Sequence, residues 1–189
     1  MTASTSAAAN WRSSRRRSPP WWLPRSSGSR RWPPTKDVRL AHVKPHGALY
    51  NLAARDADIA DAIALAVRQA DPALVLFGLS GSRLTEAGER AGLRVAHEVF
   101  AERRYEPDGR LTPRGEPGAV IETLDDSLAQ VRALVARGRV TARNGEEVAV
   151  RADTLCLHGD RPDAATFARA IRAALERDGV SIRAFGAPA

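Results

Sequence analysis

Lys44, His46, Glu98, His158 and Asp160 offer a cation for developing negative charge, two imidazoles that move protons near neutral pH, and two carboxylates suited to acid–base work or metal binding. Each alone reads as an ordinary solvated residue. Their interest is positional: in parallel α/β folds the loops leaving the C-terminal ends of strands build the site, and these five close or follow apolar, strand-like runs. His97, Arg103, Arg104 and Tyr105 belong to the same stretch as Glu98. A divalent metal on His46, His158 and Asp160 is chemically feasible, because imidazole and carboxylate suit several metals. The spacing has no H-E-x-x-H-type signature, however, and no metal site is expected.

Gly78, Ser80, Gly81 and Ser82, in the run GLSGS, sit between an apolar run and a helical one. Backbone N–H groups there could hold the anionic part of a cofactor. No Lys-Ser or Lys-Thr follows the glycines, so this is not a Walker A loop, and a tight turn with a helix cap is the plain alternative. Cys156 is the only cysteine, which rules out an intrachain disulfide and a cysteine cluster. Two residues before His158 in an apolar strand, it would share that residue's face, and it reads as a buried structural thiol rather than a nucleophile.

The elements that must position these residues alternate along the chain. Apolar runs predict strands at 38–43, 73–79, 93–100, 154–158 and 180–185, with 73–79 fully buried in the manner of a parallel sheet. Helices are predicted at roughly 56–70, with Asp56 or Asp58 as cap and Ile59, Ile63, Ala66 and Val67 as stripe, and then at 82–91, 124–137 and 162–177. Residues 44–50 read as a loop, and 101–118, rich in charge, Pro and Gly, as a long functional or mobile one. Asn144-Gly145 is the strongest short-range hairpin signal, within 140–150. This alternation argues an α/β fold with parallel strands, either an open doubly wound sheet or part of a β/α barrel.

Charge divides the chain of 189 residues unevenly. The net charge of +7 comes from residues 1–36, which hold seven Arg, Lys36, all four Trp and no acidic residue, while the remainder has 21 basic against 22 acidic residues. The first segment has no apolar period and reads as a disordered basic tail, and 37–189 as one β/α domain. A nucleic-acid role would have to rest on that tail and is not the expected one. No membrane-length apolar stretch or secretory leader is apparent, and the chain reads as soluble and cytoplasmic.

The runs VKPHGALYN (43–51), GLSGS (78–82), EVFAERRY (98–105) followed by Asp108, Gly109, Leu111 and Arg114, and LCLHGD (155–160) followed by Pro162 and Ala164 resemble, in order, the C-terminal part of the LamB/YcsF family, which includes the A subunits of 5-oxoprolinase. That resemblance implies a seven-stranded β/α barrel of the glycoside hydrolase/deacetylase type, incomplete here. It implies ATP-dependent opening of 5-oxoproline to L-glutamate, with ADP and phosphate as co-products, together with partner subunits B and C. A stable lactam would be hydrolysed once phosphorylation of its carbonyl oxygen makes it electrophilic. Lys44, His46, Glu98, His158 and Asp160 fall in the matching motifs as catalytic candidates, and ATP is the implied cofactor.

The family's acidic DLN-D-GE-type run, ACG-HAGDP and GAHP--PD do not occur, and the match begins abruptly near Asp37. The expectation is that residues 1–36 are not native family sequence and that the chain is inactive even with subunits B and C. A metal-dependent amidohydrolase or carbohydrate deacetylase on the same fold is the alternative.

Overall fold

The computed structural model describes residues 40–184. The basic tail, the start of the strand expected at 38–43 and Phe185 lie outside the described residues. Among those described, four parallel strands form one sheet in the order β1-β2-β3-β6: β1 (His42–Val43), β2 (Val75–Leu79), β3 (Arg94–Phe100) and β6 (Thr154–Cys156). β4 (Arg139–Thr141) and β5 (Glu147–Ala149) pair antiparallel as a separate ribbon, the hairpin that Asn144-Gly145 signals.

Five helices fill the connections: α1 (Gly47–Arg55), α2 (Ala57–Ala70), α3 (Arg83–Arg90), α4 (Leu124–Arg137) and α5 (Ala164–Arg177). The caps follow local chemistry. Asp56 Oδ1 accepts from the N–H groups of Asp58 and Ile59, and Thr123 Oγ1 from that of Asp126 (3.2 Å), satisfying donors that a helix start leaves unpaired.

Three expectations are corrected. Residues 47–50, read as loop, begin α1, which buries Tyr50, Ala53 and Ala54 at i, i+3 and i+4. The opening helical residue takes φ +61°, which glycine adopts without penalty, and that Gly47 disguises the start as a turn. The strand at 180–185 is not formed: residues 180–184 pair with no other strand, and a strand without a ladder partner gains nothing from being extended. α5 starts at Ala164 with Asp163 as its N-cap, so Pro162 precedes the helix instead of opening it.

Alternation gives each sheet face its own content. On one face Leu76 and Val95 meet α3 so closely that Gly88 is required: a Cβ there would lie 2.7 Å from Val95 Cγ2 and 3.0 Å from Leu76 Cδ2. On the other face lie Val75, Phe77 and Ala96, a buried apolar cluster, and further along Leu79, Glu98 and Phe100. A further core cluster joins Tyr50, Phe100, Tyr105, Leu134 and Val140, tying α1, β3, α4 and β4 together.

Gly88→Ala tests the α3–sheet contact. At an unconstrained helical site the change stabilises by about 0.5–1 kcal/mol, whereas here overpacking is expected to destabilise by about 1–3 kcal/mol. Chemical denaturation of both proteins decides it, and an unchanged or more stable variant refutes the contact.

Candidate functional site

The C-terminal edge of the parallel sheet gathers its polar groups around Glu98. Lys44, directly after β1, donates through Nζ to Glu98 Oε1 at 2.6 Å, and Tyr50 on α1 donates through its hydroxyl to Oε2 at 2.9 Å. Lys44 Nζ also lies 3.4 Å from Cys156 Sγ at the end of β6 and 5.7 Å from the Phe100 ring centroid. Glu98 is buried, 3% exposed, so both carboxylate oxygens would be costly without these donors.

Protonation follows from this packing. Burial alone would lower the Lys44 pKa, but the hydrogen bond to Glu98 and the attraction of Cys156 and Glu98 outweigh it, and the ammonium titrates above its usual range. Burial, reinforced by Glu98, pushes the Tyr50 hydroxyl far up, so it stays a donor. Burial and Glu98 also push the Cys156 thiol up to about 11, against the opposing pull of Lys44. A thiol so protonated is not a nucleophile at neutral pH, in keeping with the structural reading.

A second pair adjoins the first. Glu102 Oε1 and His158 Nδ1 form a short hydrogen bond, and the His158 ring stacks on Phe100 with centroids 5.7 Å apart. Oε2 of Glu102 is buried with no hydrogen-bond partner. The segment after β3 is held by α4: Gln130 Nε2 donates to the carbonyls of Phe100 and Arg103, both at 2.9 Å, and Ser127 Oγ to that of Ala101 at 2.9 Å. The Tyr105 hydroxyl accepts the Phe100 N–H at 2.9 Å.

Of the five candidates, Lys44 and Glu98 are in direct contact, and His158 joins their surroundings through Phe100. Asp160 is exposed and pairs with Arg114 at 3.1 Å, which holds its carboxyl below the usual range. His46 is exposed at the N-cap of α1, and its side chain makes no capping bond. His97 goes to the opposite face, where Nε2 is 3.3 Å from Glu89 on α3. Among the described residues no three His, Cys, Asp or Glu side chains are placed to hold a metal ion, so His46, His158 and Asp160 do not form a ligand set.

The GLSGS turn is taken up by structure. Ser82 Oγ caps α3, Ser80 Oγ accepts the N–H of Arg151 at 2.9 Å, Gly81 N–H donates to His97 Nδ1 at 3.4 Å, and Gly78 packs against Leu84 and Thr85. Sequence reasoning does not single out Tyr50 or Glu102. A signal for Glu102 exists, since Glu98, Phe100 and Glu102 recur every second residue and share a face if β3 is extended. Tyr50 requires recognising α1.

A family model described as the LamB/YcsF family matches residues 30–189. The chain is 57% identical over 150 residues to the A subunit of 5-oxoprolinase from Bordetella pertussis, covering 79% of this chain and 60% of the relative. It is 51% identical over 147 residues to the corresponding 5-oxoprolinase protein of Bacillus subtilis, covering 78% and 57%. Among solved structures, the lactam utilization protein from Thermus thermophilus superposes with a TM-score of 0.71 at 50% identity, over 78% of this chain and 59% of that one. The chain spans about 60% of the length of these relatives.

Alkylation of Cys156 reads the electrostatics directly. The pH–rate profile with iodoacetamide is expected to have its midpoint near 11, so the thiol is nearly inert at neutral pH. Lys44→Met removes a charge that favours the thiolate and should move the midpoint up; Glu98→Gln removes one that opposes it and should move it down. Equal midpoints in all three proteins would show that the cluster is not assembled.

Proposed function

Because the chain belongs to the LamB/YcsF family, we propose that it acts as the A component of a 5-oxoprolinase, opening the lactam of 5-oxo-L-proline to L-glutamate in the cytoplasm. ATP is the proposed co-substrate, and subunits B and C the proposed partners. The four parallel strands are proposed to be an arc of a seven-stranded β/α barrel of the glycoside hydrolase/deacetylase type. Among the described residues no helix is long and apolar enough to cross a membrane.

The Lys44–Glu98–Tyr50 cluster carries this reading. Ring opening of a lactam puts negative charge on the carbonyl oxygen, and a preorganised ammonium at a water-poor strand end stabilises it most where it need not reorganise. Glu98 keeps Lys44 protonated and aimed, and Tyr50 holds the second carboxylate oxygen so that Glu98 cannot turn away. His158, oriented by Glu102 through Nδ1, leaves Nε2 to move a proton to the leaving nitrogen. His46 and Asp160 are assigned to the rim of the same site. ATP supplies the activation that an unstrained amide carbonyl lacks. The hydroxyls of Ser80 and Ser82 and the Gly81 N–H all have internal partners, so the turn of Gly78, Ser80, Gly81 and Ser82 is assigned a structural part, joining β2 to α3 at the edge of the site.

Saturation-transfer NMR with 5-oxo-L-proline tests the substrate assignment: binding is expected, and Lys44→Met should weaken it about tenfold or more, the usual loss when a charged hydrogen-bond donor is removed from a desolvated site. A lactam that does not bind, or binds the variant equally well, overturns the reading.

A further inference from the structure

Glu102 is a buried carboxylate with half of its bonding capacity unused. It is 3% exposed; Oε1 is hydrogen-bonded to His158 Nδ1, and Oε2 has no hydrogen-bond partner. Among the described residues one other buried side-chain oxygen, Thr112 Oγ1, shares this condition, and that one belongs to a neutral hydroxyl. A carboxylate oxygen removed from water without a donor is the more costly of the two, so it marks a place where a donor belongs.

The oxygen is not free to turn toward a donor elsewhere. His158 fixes Oε1, the Glu102 carbonyl accepts the Ile121 N–H at 2.8 Å, and the carbonyls of residues 100, 101 and 103 are held by Gln130 and Ser127. Nor do the neighbouring cations serve it. Arg103 and Arg161 feel the charge of Glu102, but Arg103 donates to the carbonyls of Thr112 and Ala119, and Arg161 to Asp163 and the carbonyls of Ile121 and Glu122.

Glu102 lines a cavity of 330 Å³ together with these two arginines, Arg114, Asp160 and Asp163. That volume falls within the ~300–1,000 Å³ usual for small-molecule pockets. Arg114 is taken by Asp160 at 3.1 Å, so the group left unserved in the cavity wall is an acceptor, and the ligand it calls for brings a donor. Arg114, Asp160 and Asp163 are exposed, and exposed ion pairs are weak, so this rim parts for a ligand at little cost.

Resting on the lactam reading above, we propose that Glu102 Oε2 accepts the ring N–H of 5-oxo-L-proline and makes the site specific for a lactam over the corresponding lactone. Lys44 and Glu102 are near neighbours: both act on the Cys156 thiol, in opposite directions, as the carbonyl and nitrogen ends of one amide group require. The contact also favours ring opening. The amide N–H is a neutral donor, whereas the product nitrogen is an ammonium, and a carboxylate binds a cationic donor about twice as strongly. His158 and Glu102 then divide the nitrogen between them, Nε2 supplying the incoming proton and Oε2 holding the hydrogen already there.

The test compares two ligands of the full chain by saturation-transfer NMR: 5-oxo-L-proline and its γ-lactone analogue, which has a ring oxygen in place of the N–H. Both carry the same carboxylate, so diffuse binding to the arginine-rich tail cancels in the ratio of their affinities. The wild-type chain is expected to prefer the lactam about tenfold or more, because the lactone sets an oxygen against Oε2. Glu102→Gln keeps the shape and can turn an amide N–H₂ toward the ligand, so the preference should fall to about one or reverse. Glu102→Asp, which keeps the charge but draws the oxygen back by one methylene, should cut the preference severalfold and keeps the test decisive if Glu102→Gln does not fold. A role confined to orienting His158 would weaken both ligands alike and leave the ratio unchanged. An unchanged ratio in the variants, or equal binding of lactam and lactone by the wild-type chain, overturns the contact and leaves the lactam reading standing; a lactam that does not bind overturns both.

Discussion

A buried carboxylate cannot stand without donors, and Glu98 is the point at which this constraint organises the molecule. Its two oxygens are satisfied from two segments, Lys44 at the end of β1 and Tyr50 on α1, and the same ammonium reaches Cys156 on β6. Three strands and one helix are thereby brought into register by one charge. Leaving either member of a buried pair alone costs about 3–5 kcal/mol, a large share of the marginal stability of a domain this size.

The second layer of the site depends on how the chain leaves β3. After Phe100 the ladder stops, but the backbone carbonyls of residues 100, 101 and 103 are received by Gln130 and Ser127 of α4, and Tyr105 folds back to accept the Phe100 N–H. A segment that reads as irregular is therefore fixed on both sides. The long loop at 101–118 is a similar case: isolated bridges join Arg103 to Val120 and Tyr105 to both Leu111 and Ala142. These backbone ties let Arg103 be buried with its guanidinium donating to the carbonyls of Thr112 and Ala119.

The two features differ in electrostatic kind. Around Glu98 the charges are paired and desolvated, so their states are locked: the ammonium stays protonated, the phenol stays a donor and the thiol stays neutral. Around Arg103 the guanidinium is held by neutral groups, the carbonyls of Thr112 and Ala119. One arrangement fixes protonation states, and the other ties backbone segments together.

Residues 43–51, 98–105 and 155–160 determined by themselves the family, the parallel α/β class, the strand ends that carry Lys44, Glu98 and His158, and the hairpin at Asn144-Gly145 followed from its own turn chemistry. These are local properties, set by apolar period, turn residues and motif order. Other matters were decided by packing. Period 2 separated His97 from Glu98 once β3 had its neighbours, α1 formed because Tyr50, Ala53 and Ala54 had a core to enter, and the run after Val180 stayed out of the sheet because no strand was there to pair with it. Whether a carboxylate keeps partners, as Glu98 does in Lys44 and Tyr50, depends on groups tens of residues apart in the chain. Hydrogen bonds and desolvation act over a few ångströms of space, and only the tertiary structure says which residues share them.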